Sequence, residues 1–283
     1  MLSHLKKRLG VLTAIAVMAA LVPALATSVA SAAPAAVAVS ATDVTTLSAC
    51  PASASTPAAG FTDTTSTDVD CIAYYGITTG VTSTTYEPSS NIPRWQMALY
   101  LTRFMDVTGH TLGSGADQGF TDISGYSAAI QTAINQIKQA GVTTGKTATT
   151  YDPDSNVTRE EMTMFITRAL ASTTAGYRGS ADTATTPTKI NGSTATYNYD
   201  DVDTGVTFEG HNTIVEAYNL GLTGHLSTVR TFSPAADITR ADMATWLTNA
   251  LAHTTARPTG VHMQSTDVAD FGSMAAADDE LVI

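Results

Sequence analysis

One segment of about 50 residues is written three times along this chain, and such internal repetition fixes an architecture before any residue-level detail does. Each copy opens with an aromatic residue two positions before an acid: Phe61-Thr62-Asp63, Phe120-Thr121-Asp122 and Tyr199-Asp200-Asp201. A stretch of helical character then ends in glycine, at Tyr75-Gly76-Ile77, Ala140-Gly141-Val142 and Leu220-Gly221-Leu222. A proline turn follows, at Tyr86-Glu87-Pro88, Tyr151-Asp152-Pro153 and Phe232-Ser233-Pro234. Six residues beyond each proline stands an arginine (Arg94, Arg159, Arg240), and three further a methionine (Met97, Met162, Met243). Three copies of one small unit suit a binding module with repeated sites better than a single catalytic centre.

Within a copy the apolar period is helical. Ile130, Ala133, Ile134 and Ile137 form one stripe that Gly141 can terminate in a left-handed conformation. The second helix carries Met162, Phe165, Ile166, Ala169 and Leu170 in repeat 2. Its counterparts are Met97, Tyr100, Leu101 and Phe104 in repeat 1, and Met243, Trp246, Leu247, Ala250 and Leu251 in repeat 3. The mid-stripe aromatics read as core, not as sugar-stacking platforms. Thr158 with Glu161, and Thr239 with Asp242, predict capping boxes that put Arg159 and Arg240 at the first helical position. Repeat 1 has Pro93 and Gln96 instead, and therefore a different cap. One helical hairpin of this size cannot bury its stripes alone, so the copies pack together and the fold is all-α.

Flanking segments set the context. His4, Lys6, Lys7 and Arg8 precede the apolar run Val11–Leu25, and Ala30-Ser31-Ala32 offers a cleavage site, so 1–32 reads as a signal peptide, with a retained anchor as the alternative. Its removal takes the formal charge from −11 to −14 and leaves 11 Lys and Arg, a surface that repels nucleic acid and anionic lipid. No membrane span is expected in the mature chain. Residues 33–60 are an Ala, Ser, Thr and Pro linker without the means to form a core. The repeats span 61–105, 120–171 and 199–252, and the connector 172–198 is long enough for a loop or small hairpin. Residues 253–283 read as a disordered tail or the start of a further domain. Cys50 and Cys71, an even pair in an exported chain, predict one disulfide, with two buried thiols as the alternative.

Catalytic and metal signatures are lacking. The six histidines show no ligand spacing, and no nucleophile motif such as GxSxG occurs. Asp152-Pro153-Asp154-Ser155-Asn156 imitates the start of a calcium loop, but Val157 replaces the required glycine and Thr163 the bidentate acid. No cofactor, metal site or enzymatic activity is expected.

The arginines are electrostatically unusual, because a helix start prefers acids. A guanidinium beside free backbone N–H groups would suit an anion. The other reading is an ion pair with Glu87, Asp152 or Asp237 in the turn.

Taken together, Phe-x-Asp, Gly-[Ile/Val/Leu], aromatic-x-Pro and Thr-Arg-x-[Glu/Asp] resemble the S-layer homology domain, most closely in Val157-Thr158-Arg159-Glu160-Glu161 and Ile238-Thr239-Arg240-Ala241-Asp242. The resemblance implies a pseudo-threefold bundle of three units. It implies a non-catalytic anchor at the cell wall that binds an anionic, pyruvylated secondary cell-wall polymer or peptidoglycan-linked glycan. Arg94, Arg159 and Arg240 would be the ligand-binding residues, in grooves between repeats, with repeat 1 weakened by its altered cap. A structural surface-layer subunit acting by self-association, and the anchoring part of a longer surface enzyme, are the alternatives.

Overall fold

Each repeat yields a first helix closed by its glycine and a second helix opened by its arginine. In the computed structural model, which describes residues 49–50, 56–173, 189–190, 193–194, 197–223 and 230–254, repeat 1 forms α1 (Thr67–Tyr74) and α2 (Arg94–Val107). Repeat 2 forms α3 (Ala128–Gln139) and α4 (Arg159–Thr173), and repeat 3 forms α5 (Phe208–Asn219) and α6 (Arg240–Leu251). The predicted all-α class holds. Among the described residues of the connector before repeat 3, β1 (Lys189–Ile190) pairs with β2 (Ser193–Thr194) in a two-residue antiparallel ladder. The predicted signal peptide, most of the linker and nearly all of the tail lie outside the described residues.

Glycine ends the first helices for a backbone reason. Gly76, Gly141 and Gly221 take φ of 71°, 74° and 67°. The next N–H then reaches back to close the last turn: Ile77 to the Ile72 carbonyl at 2.8 Å, Val142 to Ile137 and Leu222 to Ala217 at 2.9 Å each. Helix α1 has 8 residues where α3 and α5 have 12, as the shorter spacing in repeat 1 requires. The disulfide Cys50–Cys71 ties the preceding chain to α1.

The helices pair between repeats. Helix α3 packs on α2, α5 on α4, and α1 on α6, so the last helix meets the first and the three units close into a ring. Every stripe residue predicted for the second helices is buried, with Met97, Met162 and Met243 fully enclosed. Polar bonds reinforce the closing seam: the Thr245 hydroxyl donates to the Asp68 carboxylate at 2.6 Å and the Thr248 hydroxyl to the Asp68 carbonyl at 3.2 Å. Among the described residues, no helix is long and apolar enough to cross a membrane, and no cluster of His, Cys, Asp or Glu could hold a metal.

Candidate functional site: arginine-lined grooves between repeats

The acid of each opening motif clamps the proline turn of its own repeat. The Asp63 carboxylate accepts from the N–H of Tyr86 at 2.9 and 3.1 Å and of Glu87 at 2.7 Å. Asp122 does the same for Tyr151 and Asp152, and Asp201 for Phe232 and Ser233. Those bonds hold Glu87, Asp152 and Ser233 at φ 58°, a left-handed conformation non-glycine residues rarely adopt. The two N–H bonds, from Tyr86 first and then Glu87, hold the Asp63 carboxyl below its usual 3.8. The motif aromatics pack on the turn aromatics, Phe61 on Tyr86, Phe120 on Tyr151 and Tyr199 on Phe232. Gly80 and Gly145 let the backbone pass against Phe61 and Phe120, where a Cβ would collide with the ring, and both have positive φ.

Each arginine then reaches into the next repeat, cyclically. Arg94 donates from Nε to the Tyr151 carbonyl at 2.9 Å, Arg159 to Phe232 at 2.7 Å and Arg240 to Tyr86 at 2.6 Å. Every guanidinium lies against two rings of that repeat: Tyr151 and Phe165, Phe232 and Trp246, Tyr86 and Tyr100. Phe165, Trp246 and Tyr100 are therefore core residues that also carry the arginines. Burial raises the phenols of Tyr86 and Tyr151, keeping them neutral donors.

All three arginines occupy the first helical position, Arg94 included, but the helix-start N–H groups are not free. Those of Arg94 and Trp95 donate to the carbonyls of Ser155 and Pro153, at 2.9 and 3.0 Å. Arg159 and Glu160 donate to Ala236 and Pro234, and Arg240 and Ala241 to Ser90 and Pro88. These groups join repeats, so any anion must be met by side chains. The third donor is capped as predicted in repeats 2 and 3: Glu161 N–H donates to the Thr158 hydroxyl at 3.2 Å and Asp242 N–H to that of Thr239 at 3.1 Å. Helix α2 has no side-chain cap at Pro93.

The acids facing the arginines come from these caps, not from Glu87, Asp152 or Asp237. Arg94 Nη1 lies 3.2 Å from Glu161, which Lys146 also pairs, and Arg159 Nη1 lies 2.9 Å from Asp242. At the corresponding place Arg240 meets the amide of Gln96, donating to its oxygen at 3.1 Å, and the Arg240 Nη2 is buried with no partner among the described residues. The Gln96 departure thus belongs to the groove of Arg240, not to that of Arg94.

Two grooves with equivalent walls are described. One, of about 230 Å³, runs along the Gly80 turn and α2 and includes Arg240, Arg103, Gln96 and Trp95. The other, of about 200 Å³, runs along the Gly145 turn and α4 and includes Arg94, Lys146, Glu161, Arg168 and Glu209. Residues 224–229, which correspond to part of the Gly80 and Gly145 turns, lie outside the described residues. Trp95 was missed by the sequence reading. Its signal was an aromatic off the apolar stripe, where repeats 2 and 3 have Glu160 and Ala241.

Residues 119–163, from the start of repeat 2 into the first turn of α4, match the S-layer homology domain. The chain is also similar to an endoglucanase of Bacillus sp. (strain KSM-635), 33% identical over 93 residues. That alignment covers 33% of this chain and 9% of the relative, so the chain spans only a small part of that protein. Residues 119–163 thus carry an S-layer homology domain, and its Asp clamp and arginine recur in the other two repeats.

Proposed function

We propose that the chain is a non-catalytic anchoring module that holds an exported protein at the cell surface by binding an anionic secondary cell-wall polysaccharide. The acidic sugar, of the pyruvylated kind expected from the family, binds in a groove between repeats, where Arg94, Arg159 and Arg240 are the candidate ligand-binding residues. The observation that carries this reading is the threefold recurrence of a guanidinium between two aromatic faces at a junction of repeats. Such a group presents planar, charge-assisted donors to a carboxylate, and a lysine cannot reproduce that fork. The chain carries few other cations, so their concentration at these junctions is selective.

The test is co-sedimentation of purified protein with cell-wall sacculi before and after extraction of non-peptidoglycan polymers. Binding lost with the polymer supports the reading, and binding that persists on bare peptidoglycan refutes it. The similarity to an endoglucanase favours a second statement, that the anchored load is a surface enzyme. A catalytic domain in the same polypeptide, found by sequencing the full gene, would establish it.

A further inference from the structure

The junction where repeat 3 closes onto repeat 1 differs from the Arg94 junction in a way the shared motif does not explain. In the Arg94 groove every cation has a carboxylate partner: Arg94 and Lys146 share Glu161, and Arg168 pairs with Glu209. Arg159 is likewise paired, with Asp242. In the Arg240 groove, Arg240 and Arg103 pair with no carboxylate among the described residues. The acid that feels the Arg240 charge, Asp63, has its oxygens committed to Tyr86 and Glu87.

An unpartnered guanidinium nitrogen is costly at this depth. Arg240 is 3% exposed, and its Nη2 has no acceptor among the described residues. Gln96 supplies one oxygen to Nη1, and among the described residues its amide nitrogen has no bonding partner. A carboxylate at that position could only accept and would repel an anion. The amide accepts from Arg240 and keeps two donors for a ligand. Beside it, Trp95 is half-buried and stacks on no other ring among the described residues. A partly open indole next to guanidinium and amide donors matches a sugar ring that bears a carboxylate.

We infer that the groove at the repeat 3–repeat 1 junction is the open acidic-sugar site of this chain. Gln96 is its specificity-determining residue, and the cap acids of the other two junctions hold their arginines in internal ion pairs. This rests on the polymer-binding function proposed above and names which junction performs it. It also reverses the expectation that the altered cap weakens a groove.

The test uses the full chain and soluble wall polymer released from sacculi, native or with its carboxyl groups reduced. Gln96→Glu supplies Arg240 with the acid it lacks. It should bind native polymer about tenfold or more weakly than the parent while melting no lower. Glu161→Gln should not weaken binding, and reduced polymer should bind the parent as poorly as native polymer binds Gln96→Glu. The indole N–H resonance of Trp95, assigned through Trp95→Phe, should shift on titration while that of the buried Trp246 stays in place. If the parent binds native polymer and Gln96→Glu binds it equally well, the inference is overturned and the anchoring function stands. If the parent binds no polymer, the anchoring function itself falls.

Discussion

Arg94 and Tyr151 hold each other by a reciprocal pair of bonds. The Arg94 Nε donates to the Tyr151 carbonyl at 2.9 Å, and the Tyr151 hydroxyl donates back to the Arg94 carbonyl at 2.8 Å. The guanidinium carbon stands 4.7 Å above the same ring. Arg240 and Tyr86 repeat the clasp at the closing junction, whereas Phe232 offers Arg159 no hydroxyl. The clasp is a joint between repeats before it is anything else.

Arg94→Ala should therefore destabilise the fold. It removes a buried charged donor, leaves the Tyr151 carbonyl without that bond and takes one cation from Glu161. The expected loss is about 1.5–3 kcal/mol, read as a lower urea midpoint with unchanged slope. Tyr151→Phe should cost less, about 1 kcal/mol, since it deletes one hydroxyl bond. An Arg94→Ala variant as stable as the parent would refute the joint.

The Asp63 clamp gives a pH signature. Its folded carboxyl titrates below its usual 3.8 because two N–H groups stabilise the ionised form. A depressed folded value means its contribution is present above the usual value. It is lost as pH falls from there through the folded value. Asp63→Asn should thus be less stable than the parent at neutral pH, and the gap should narrow in the window below 3.8. Denaturation series of both proteins across that range measure it. A gap independent of pH would mean the carboxylate charge is not what the turn uses.

Gly80 and Gly145 test the turn from the other side. Each has positive φ and sits where a methyl group would strike both a ring, Phe61 or Phe120, and the carbonyl oxygens of its own turn. Gly80→Ala should cost more than the roughly 1 kcal/mol of left-handed strain alone, because the ring must also move. Gly76→Ala, with the same backbone sign and open space around the added carbon, should show the strain by itself. Comparing the two melting curves separates collision from conformation.

Local chemistry was legible in the sequence, and pairing was not. Helix starts, glycine stops and apolar stripes are written within a few residues of one another, so α4 could be placed from Thr158, Glu161 and the Met162 stripe. The partner of Arg94 is Glu161, which lies in the next repeat and serves that repeat's cap as well. Nothing in the spacing around Arg94 points to it, and Glu87, Asp152 and Asp237 in the proline turns are equally compatible with the sequence. Gln96 likewise read as a defect of its own helix, because only the ring closure shows that it faces Arg240.

Ring closure makes repeats 1 and 3 mutually dependent although they are far apart in the chain. Helix α1 packs on α6, the N–H groups of Arg240 and Ala241 bond Ser90 and Pro88, and the Tyr86 hydroxyl bonds Arg240. A linear stack of repeats would lose only its last unit on truncation, since each unit there contacts its neighbours alone. Here, ending the chain before Arg240 strips α1 of its packing partner and orphans the Ser90 turn. Truncation should therefore remove amide protection from α1 and the Tyr86 turn as well as from repeat 3, and the parent should unfold in a single cooperative transition. Hydrogen exchange of parent and truncated protein gives the answer. Protection of α1 that survives the truncation would show that the ring seam contributes little, and that the repeats fold as a line.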